Sequence, residues 1–260
     1  MSSAAPVEEA PDGDDEGGDG SGRRDGSGAD GRNLGDGSWQ GSGGLLLTPE
    51  QNRLVDVHLA RMAASEPAVT AAVRTLVHLV GDGRLVGLEY RVKSEHSLKR
   101  RVALSLRRHP VRTAEEVFAQ SYDALRYTLC VDPDRYAPCV ERALARLLAA
   151  GFDSARFRNF WRESRGGYRG VNTVWQGQPR PGAARGLFEL QFHTPDSYRA
   201  TVVTHTAYER LRRPGLTDDT AARLRALQSA VFSRVPVPPE APAIALPRRP
   251  DAGGANPRGR

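Results

Sequence analysis

Two short apolar runs, one just after a glycine-flanked tyrosine (Gly167-Tyr168-Arg169-Gly170-Val171-Asn172-Thr173) and one reading Phe188-Glu189-Leu190-Gln191-Phe192-His193-Thr194, constrain this chain more than any other feature. In a β-strand, side chains at i, i+2 and i+4 share a face. Glu189, Gln191 and His193 therefore point one way, and Leu190 and Phe192 the other. The apolar side demands a helix or second sheet against it. The polar row demands partners, because a carboxylate leaving water must be paired or hydrogen-bonded. Such a strand belongs to a sheet with one structural face and one chemical face.

The remaining pattern fits a mixed fold. Thr48-Pro49-Glu50 predicts a capped helix start and a helix to about Ala64. A second helix is expected after Ser65-Glu66-Pro67, carrying Val69, Val73, Leu76, Val77 and Val80 at helical spacing, and stopping at Gly81-Asp82-Gly83. Strands are expected over Val86–Val92, Ala124–Val131, Phe152–Trp161, Tyr168–Trp175 and Leu187–Phe192. Helices are expected over Ser97–Arg108, after Pro133-Asp134 to Gly151, and near 196–212 and 218–233. The order predicts an α/β (α+β) domain, a mixed sheet of about five strands flanked by helices.

Residues 1–44 are rich in Gly, Ser, Asp and Ala, with little to bury, and are expected to be a disordered arm. The Pro/Arg-rich stretch 236–260 is expected to be a loose tail. The folded domain is thereby expected over 45–235. Residues 1–50 hold 11 Asp/Glu against 3 Arg, which leaves 34 Lys/Arg against 20 Asp/Glu in the rest. The body is strongly basic and suits anionic partners such as nucleotides or RNA. Cys130 and Cys139 make no disulfide framework, and no CxxC pair suggests zinc. No secretory signal or membrane-spanning run is visible, so a cytoplasmic location is expected, with export by another route left open. Nothing in the pattern suggests a DNA-reading module.

Several residues suit phosphate chemistry. Arg91 and Lys93 would share a face of the first expected strand, and Ser97 would cap the next helix, where exposed N–H groups attract anions. Lys99, Arg100 and Arg101 follow on its first turn, where they oppose the helix dipole unless an anion is bound. Asp123 precedes an apolar strand, with Arg126 three residues on. Asp123 and Glu189 on neighbouring strands would form a Mg²⁺ site, since Mg²⁺ takes one or two carboxylates with substrate phosphates and water. Tyr168 between glycines could stack on a base, with Arg169 over phosphate.

Together these motifs resemble the RelA/SpoT-type alarmone synthetase (nucleotide pyrophosphokinase) domain from about Leu85 to Leu211, with its nucleotidyltransferase-like fold. Arg91-Val92-Lys93 with Ser97-Leu98 resembles the donor-phosphate segment RxK…S-[IL]. Asp123 resembles the Mg²⁺-binding aspartate. Gly167-Tyr168-Arg169-Gly170-Val171-Asn172 resembles GY-[QR]-S-[LV]-H, whose tyrosine stacks on the acceptor base. Glu189-Leu190-Gln191-Phe192-His193-Thr194 resembles E-[VL]-Q-[IF]-R-T, whose glutamate serves metal binding and hydroxyl activation. His205-Thr206-Ala207-Tyr208-Glu209 echoes HWxYK. Asn172 stands where the family has histidine, His193 where it has arginine, and Thr128 where an arginine packs on the donor adenine, a contact Arg126 could assume. These departures resemble the actinobacterial ATP nucleotide 3′-pyrophosphokinase branch.

The resemblance implies transfer of the β,γ-pyrophosphate of ATP to the 3′-OH of a purine nucleotide (GTP, GDP, ATP or ADP), with Mg²⁺ as cofactor. It implies Asp123, Glu189 and Gln191 as catalytic residues. Arg91, Lys93, Ser97, Lys99, Arg101 and Arg126 would bind the donor, and Tyr168, Arg169, Asn172 and His193 the acceptor. The alternatives are the same chemistry on the 3′ end of tRNA, or a non-catalytic basic nucleotide- or RNA-binding module.

Overall fold

The computed structural model describes residues 31–119, 124–162, 167–179, 182, 183, 185–211 and 215–248. A five-stranded sheet organises them. Its strands are β4 (Gly83–Val86), β5 (Arg126–Val131), β6 (Asp153–Asn159), β7 (Val171–Gly177) and β8 (Gly186–His193), in the order β4-β5-β8-β7-β6. The central pair β5–β8 is parallel and the other pairings are antiparallel, so the sheet is mixed as expected.

One face is apolar. Tyr127, Leu129, Val131, Phe188, Leu190, Phe192, Val171 and Trp175 pack with Val69, Val73, Leu76 and Val80 of α1 (Pro49–Val80) and with Val140, Leu144 and Leu147 of α4 (Tyr136–Ala149). A side chain at Gly186 would collide with Val69, which shows how closely α1 lies on the even-numbered residues of β8. Fully burying one such aliphatic or aromatic side chain is worth about 1.5–3 kcal/mol, so this face supplies most of the stabilisation. The other face carries the polar row and is crossed by α5 (Pro195–Leu211), which forms a hairpin with α6 (Asp218–Phe232).

Where two helices were expected, α1 is a single helix that continues through Pro67. Proline removes one backbone donor, but α1 spans two cores. Val69, Val73, Leu76 and Val80 belong to the main one, while Val55 belongs to a second with Trp39, Leu47, Leu98 and Val102. Burial on both sides of the proline holds the helix together. Its start is a capping box between Thr48 and Gln51.

The second core corrects the expectation for the arm. Residues 31–44 are not loose: β1 (Arg32–Asn33), β2 (Trp39–Gly41) and β3 (Leu45–Leu47) form a small antiparallel sheet on α1 and on α2 (Glu95–Arg108). Trp39 is 1% exposed, and a side chain at Gly31 or Gly41 would collide with its indole. The glycines that made this stretch look unfoldable let one large ring lie flat on backbone. Within the expected tail, residues 236–248 are corrected likewise. Ala241 and Ile244 are buried in the main core, and Asn159 Nδ2 donates to Ala241 O (2.8 Å) and Ile244 O (3.0 Å). A short helix not expected from the pattern, α3 (Ala114–Ala119), adds Val117 and Phe118 to the second core.

Candidate active site

The polar face is built by register. Across the parallel pair, Arg126 lies opposite Glu189, Thr128 opposite Gln191 and Cys130 opposite His193. Across the antiparallel pair, Val174 lies opposite Glu189 and Asn172 opposite Gln191. On the outer strand β6, Arg156 pairs with Val174 and Arg158 with Asn172. Two rows result, Arg156–Val174–Glu189–Arg126 and Arg158–Asn172–Gln191–Thr128.

A β-bulge puts the two β6 arginines there. Asp153 lies opposite Gln176 and Ser154 opposite Trp175, but the register then shifts so that Arg156 lies opposite Val174. A regular continuation from Asp153 would place Arg156 and Arg158 on the helix-covered side. The extra residue, Ala155, reverses that parity. These two arginines are site residues that the sequence reading missed. Their i,i+2 spacing was visible as a signal, but their facing depends on a bulge that no residue type announces.

Glu189 is 3% exposed, and its Oε1 lies 4.0 Å from an Arg156 guanidinium nitrogen. Arg126 flanks it in register from β5. A nearly buried carboxylate between arginine-bearing strands is compensated by charge. That environment also suits a phosphate, which takes bidentate hydrogen bonds from guanidinium groups. Among the described residues no group of three or more His, Cys, Asp and Glu could hold a metal. One carboxylate flanked by arginines still fits Mg²⁺, whose other ligands are usually substrate oxygens and water. Asp123 lies outside the described residues. The described chain resumes at Ala124, and the carbonyl of Leu125 accepts the backbone N–H of Glu189 (2.8 Å).

Tyr168, Asn172 and His193, expected at the acceptor, form a buried hydrogen-bonded chain. Tyr168 is 9% exposed, so it presents no open ring for stacking as expected. Phe160, His193 and Phe232 surround it at centroid distances of 5.0, 5.5 and 5.7 Å. Its Oη lies 2.9 Å from both Asn172 Oδ1 and His193 Nε2. Burial and the nearby Glu189 charge push the phenol well above its usual pKa. His193 is fully buried, with Nδ1 2.9 Å from Ser197 Oγ. Burial, reinforced by the Arg126 charge, holds its pKa down to about 3, so the ring is neutral. His193 is therefore corrected from an acceptor contact to a support for Tyr168. Gly167, at φ 87°, lets the loop pass close against Ser229 of α6. Arg169 is half-buried and donates weakly to Phe160 O (3.3 Å).

The segment expected to bind the donor departs furthest from expectation. β4 ends at Val86, a 3₁₀ turn covers Leu88–Tyr90, and only an isolated bridge joins Val92 to Leu125, so Arg91 and Lys93 share no strand face. Arg91 Nε lies 2.5 Å from Glu66 of α1, whose carboxyl this contact holds below its usual pKa. Ser94, not Ser97, caps α2, its hydroxyl accepting from Ser97 N (3.3 Å). Lys99 is removed from the donor set. It is fully buried, with Nζ 2.8 Å from Asp56, 2.7 Å from Glu95 and 3.0 Å from Asn33 Oδ1. That network ties β1, α1 and α2 together. Lys93 and Arg101 engage other groups of the protein, and Arg101 is half-buried on α2.

No protein-family model and no curated protein matches the chain. Among solved structures it is similar to small alarmone synthetase 2 from Bacillus subtilis (11% identity, 68% of this chain and 91% of that one covered, TM-score 0.48). It is also similar to small alarmone synthetase 1 from Bacillus subtilis bound to its product pppGpp (18%, 67% and 88%, TM-score 0.46) and to a GTP pyrophosphokinase family protein from Streptococcus pneumoniae (16%, 72% and 90%, TM-score 0.46).

Proposed function

We propose that the chain is a nucleotide 3′-pyrophosphokinase, transferring the β,γ-pyrophosphate of ATP to the ribose 3′-OH of a purine nucleotide to give an alarmone and AMP. The observation that carries this reading is Glu189, nearly buried on a polar sheet face between strands bearing Arg126 and Arg156. The order of the motifs along the sequence supports it.

In the proposed step the acceptor 3′-oxygen attacks the β-phosphorus of ATP. The bond from that phosphorus to the α,β-bridging oxygen breaks, AMP departs with that oxygen, and Glu189 takes the 3′-OH proton. General-base help of this kind is typically worth about 10²–10⁴ in rate. Arg126 and Arg156 stabilise charge on the transferring group, and Arg91, Lys93 and Arg101 are proposed to guide the donor phosphates. Glu189 with Asp123 would hold Mg²⁺, which neutralises phosphate charge when bound. Asn172, Gln191 and Arg158 face the acceptor, with Arg169 at the edge of its pocket. Most of the acceleration comes from placement and fixed charge.

The experiment is chromatography of products from ATP with each of GTP, GDP, GMP, ATP, ADP and tRNA, using the full chain and Glu189→Gln. AMP release with a pyrophosphorylated nucleotide, abolished in a folded Glu189→Gln protein, is the expected result. Product on tRNA alone would move the chain to the RNA-modifying alternative. Turnover by Glu189→Gln equal to that of the unaltered chain would end the assignment.

A further inference from the structure

On that reading of the reaction, we infer that a cavity beside Glu189, walled by His58, Met62 and Phe118, receives the purine base of the donor nucleotide. Register pairs follow one another along the polar face: Thr128 opposite Gln191, then Arg126 opposite Glu189. One step further, the same parity brings Ala124 and Leu187 to that face. The Leu125 carbonyl still accepts the Glu189 N–H (2.8 Å) between the two steps. The face thus changes from charged to apolar within one step. A cavity of about 140 Å³ opens there, with Ala124 and Leu187 in its wall.

Three helices supply the rest of the wall: His58 and Met62 from α1, Leu98 from α2 and Phe118 from α3. His58 lies flat on Phe118, with ring centroids 4.1 Å and planes 14° apart. Burial, reinforced by the Arg61 charge, holds the imidazole below its usual pKa. The ring is therefore neutral at pH 7 and offers one donor and one acceptor. Arg61 and Arg185, both exposed, complete the lining. Their guanidinium planes can stack on a base as well as pair with phosphate. A cavity of about 150 Å³ with aliphatic and aromatic walls holds one benzene-sized ring. This cavity has that size, and it adds hydrogen-bonding groups that a hydrocarbon would not use. The combination suits the six-membered ring of a nucleobase.

Position assigns the base to the donor. The residues proposed to face the acceptor, Arg158, Asn172 and Gln191, form the row on the other side of Glu189. Rows are about 6–7 Å apart along the strands, the reach of a ribose. A base in the cavity therefore brings its phosphates to Arg126, Glu189 and Arg156. The resemblance puts the donor adenine instead at Thr128, with Arg126 as the substitute contact. Threonine offers no plane for stacking, and the cavity lies on the opposite side of Arg126.

The test measures binding of α,β-methylene-ATP, tripolyphosphate and GDP, each with Mg²⁺, to the full chain and to Met62→Trp, which fills the cavity. A thermal melt of both proteins accompanies the binding. Met62→Trp is expected to weaken α,β-methylene-ATP by about tenfold or more, the worth of one base stacked on protein side chains. Tripolyphosphate and GDP should bind it as they bind the unaltered chain. Photolabelling of the unaltered chain with 8-azido-ATP, mapped by mass spectrometry, locates the base without any variant. Label is expected on α1 or α3, around His58, Met62 and Phe118. Label around Thr128 or Tyr168, unchanged α,β-methylene-ATP binding by folded Met62→Trp, or an equal loss of tripolyphosphate or GDP would overturn the inference. These readouts need no turnover, so failure of pyrophosphate transfer would count against the reaction and leave the base site standing. Transfer by Met62→Trp at an unaltered KM for ATP would do the reverse.

Discussion

Replacing Lys99 by Met separates what the resemblance assigns from what the fold requires. The resemblance makes this residue a donor-phosphate ligand; the structure buries its ammonium against Asp56, Glu95 and Asn33. Methionine keeps the unbranched shape and removes three charge-assisted contacts. Each such contact contributes about 1.5–3 kcal/mol when both groups are buried. Here Asp56 and Glu95 are about half exposed, with side-chain exposures of 51% and 47%, and can rehydrate. The substitution also relieves the desolvation of a buried ammonium. The expected net loss is about 1–3 kcal/mol, at roughly 2–4 °C of melting temperature per kcal/mol for a domain of this size.

The effect on acidity follows from Glu95, whose carboxyl Lys99 holds below its usual value through a hydrogen bond and its charge. A depressed folded-state pKa contributes stability that is present above the unfolded value, near 4.3–4.5, and is lost as pH falls through the folded one. The gap between Lys99→Met and the unaltered chain should therefore narrow below about pH 4.5. Thermal melts across pH, together with the KM for ATP, decide the matter. An unchanged melting temperature with a tenfold rise in ATP KM, about 1.4 kcal/mol, would refute the structural role and restore the donor role.

Trp39→Ala should cost about 3–5 kcal/mol by opening the second core, read as a large fall in melting temperature of the full chain. His193 is buried neutral with a pKa near 3, against a usual 6.5. Its unfolded form therefore takes up a proton first as pH falls, and stability drops between about pH 6.5 and 3 at up to about 1.4 kcal/mol per pH unit. His193→Gln should melt with a flatter pH dependence across that window, and an unchanged slope would show that another group dominates. Cys139, fully buried with its thiol pushed up to about 11, should resist alkylation at pH 8 in the folded chain and react on unfolding. Rapid native labelling at that position would contradict its packing.

The sheet and its two faces were legible because β8 carries the alternation in its own residues: Glu189, Gln191 and His193 against Leu190 and Phe192. Strands β5 to β8, helices α2, α4, α5 and α6 and the apolar stripe of α1 followed from periodicity in the same way, whereas the first expected strand, Val86–Val92, is mostly a 3₁₀ turn beyond the end of β4. What escaped depends on distant partners. Lys99 reads as a surface cation until Asp56 and Asn33 are brought beside it. Tyr168 reads as either a stacking ring or an inward-packing one until Phe160 and Phe232 close over it. Arg156 and Arg158 read as ordinary strand charges until a register shift turns them. The expectation of disorder failed for residues 31–44 and 236–248 for the opposite reason: low hydrophobicity suggested it, whereas single anchors, Trp39 and Asn159, fasten these stretches to the body.

The bulge at Ala155 makes β6 a strand whose two halves follow opposite parity. Before it, odd-numbered positions look toward the chemistry; after it, even-numbered ones do. The spacing between a strand's entry and its working residues is thus decoupled from which side those residues serve. Lengthening or shortening the segment at that point by one residue would trade Phe157 for its arginine neighbours across the sheet, unless the irregularity itself absorbed the change. A single unpaired backbone position thereby governs whether the outer strand contributes grease or guanidinium to the cleft.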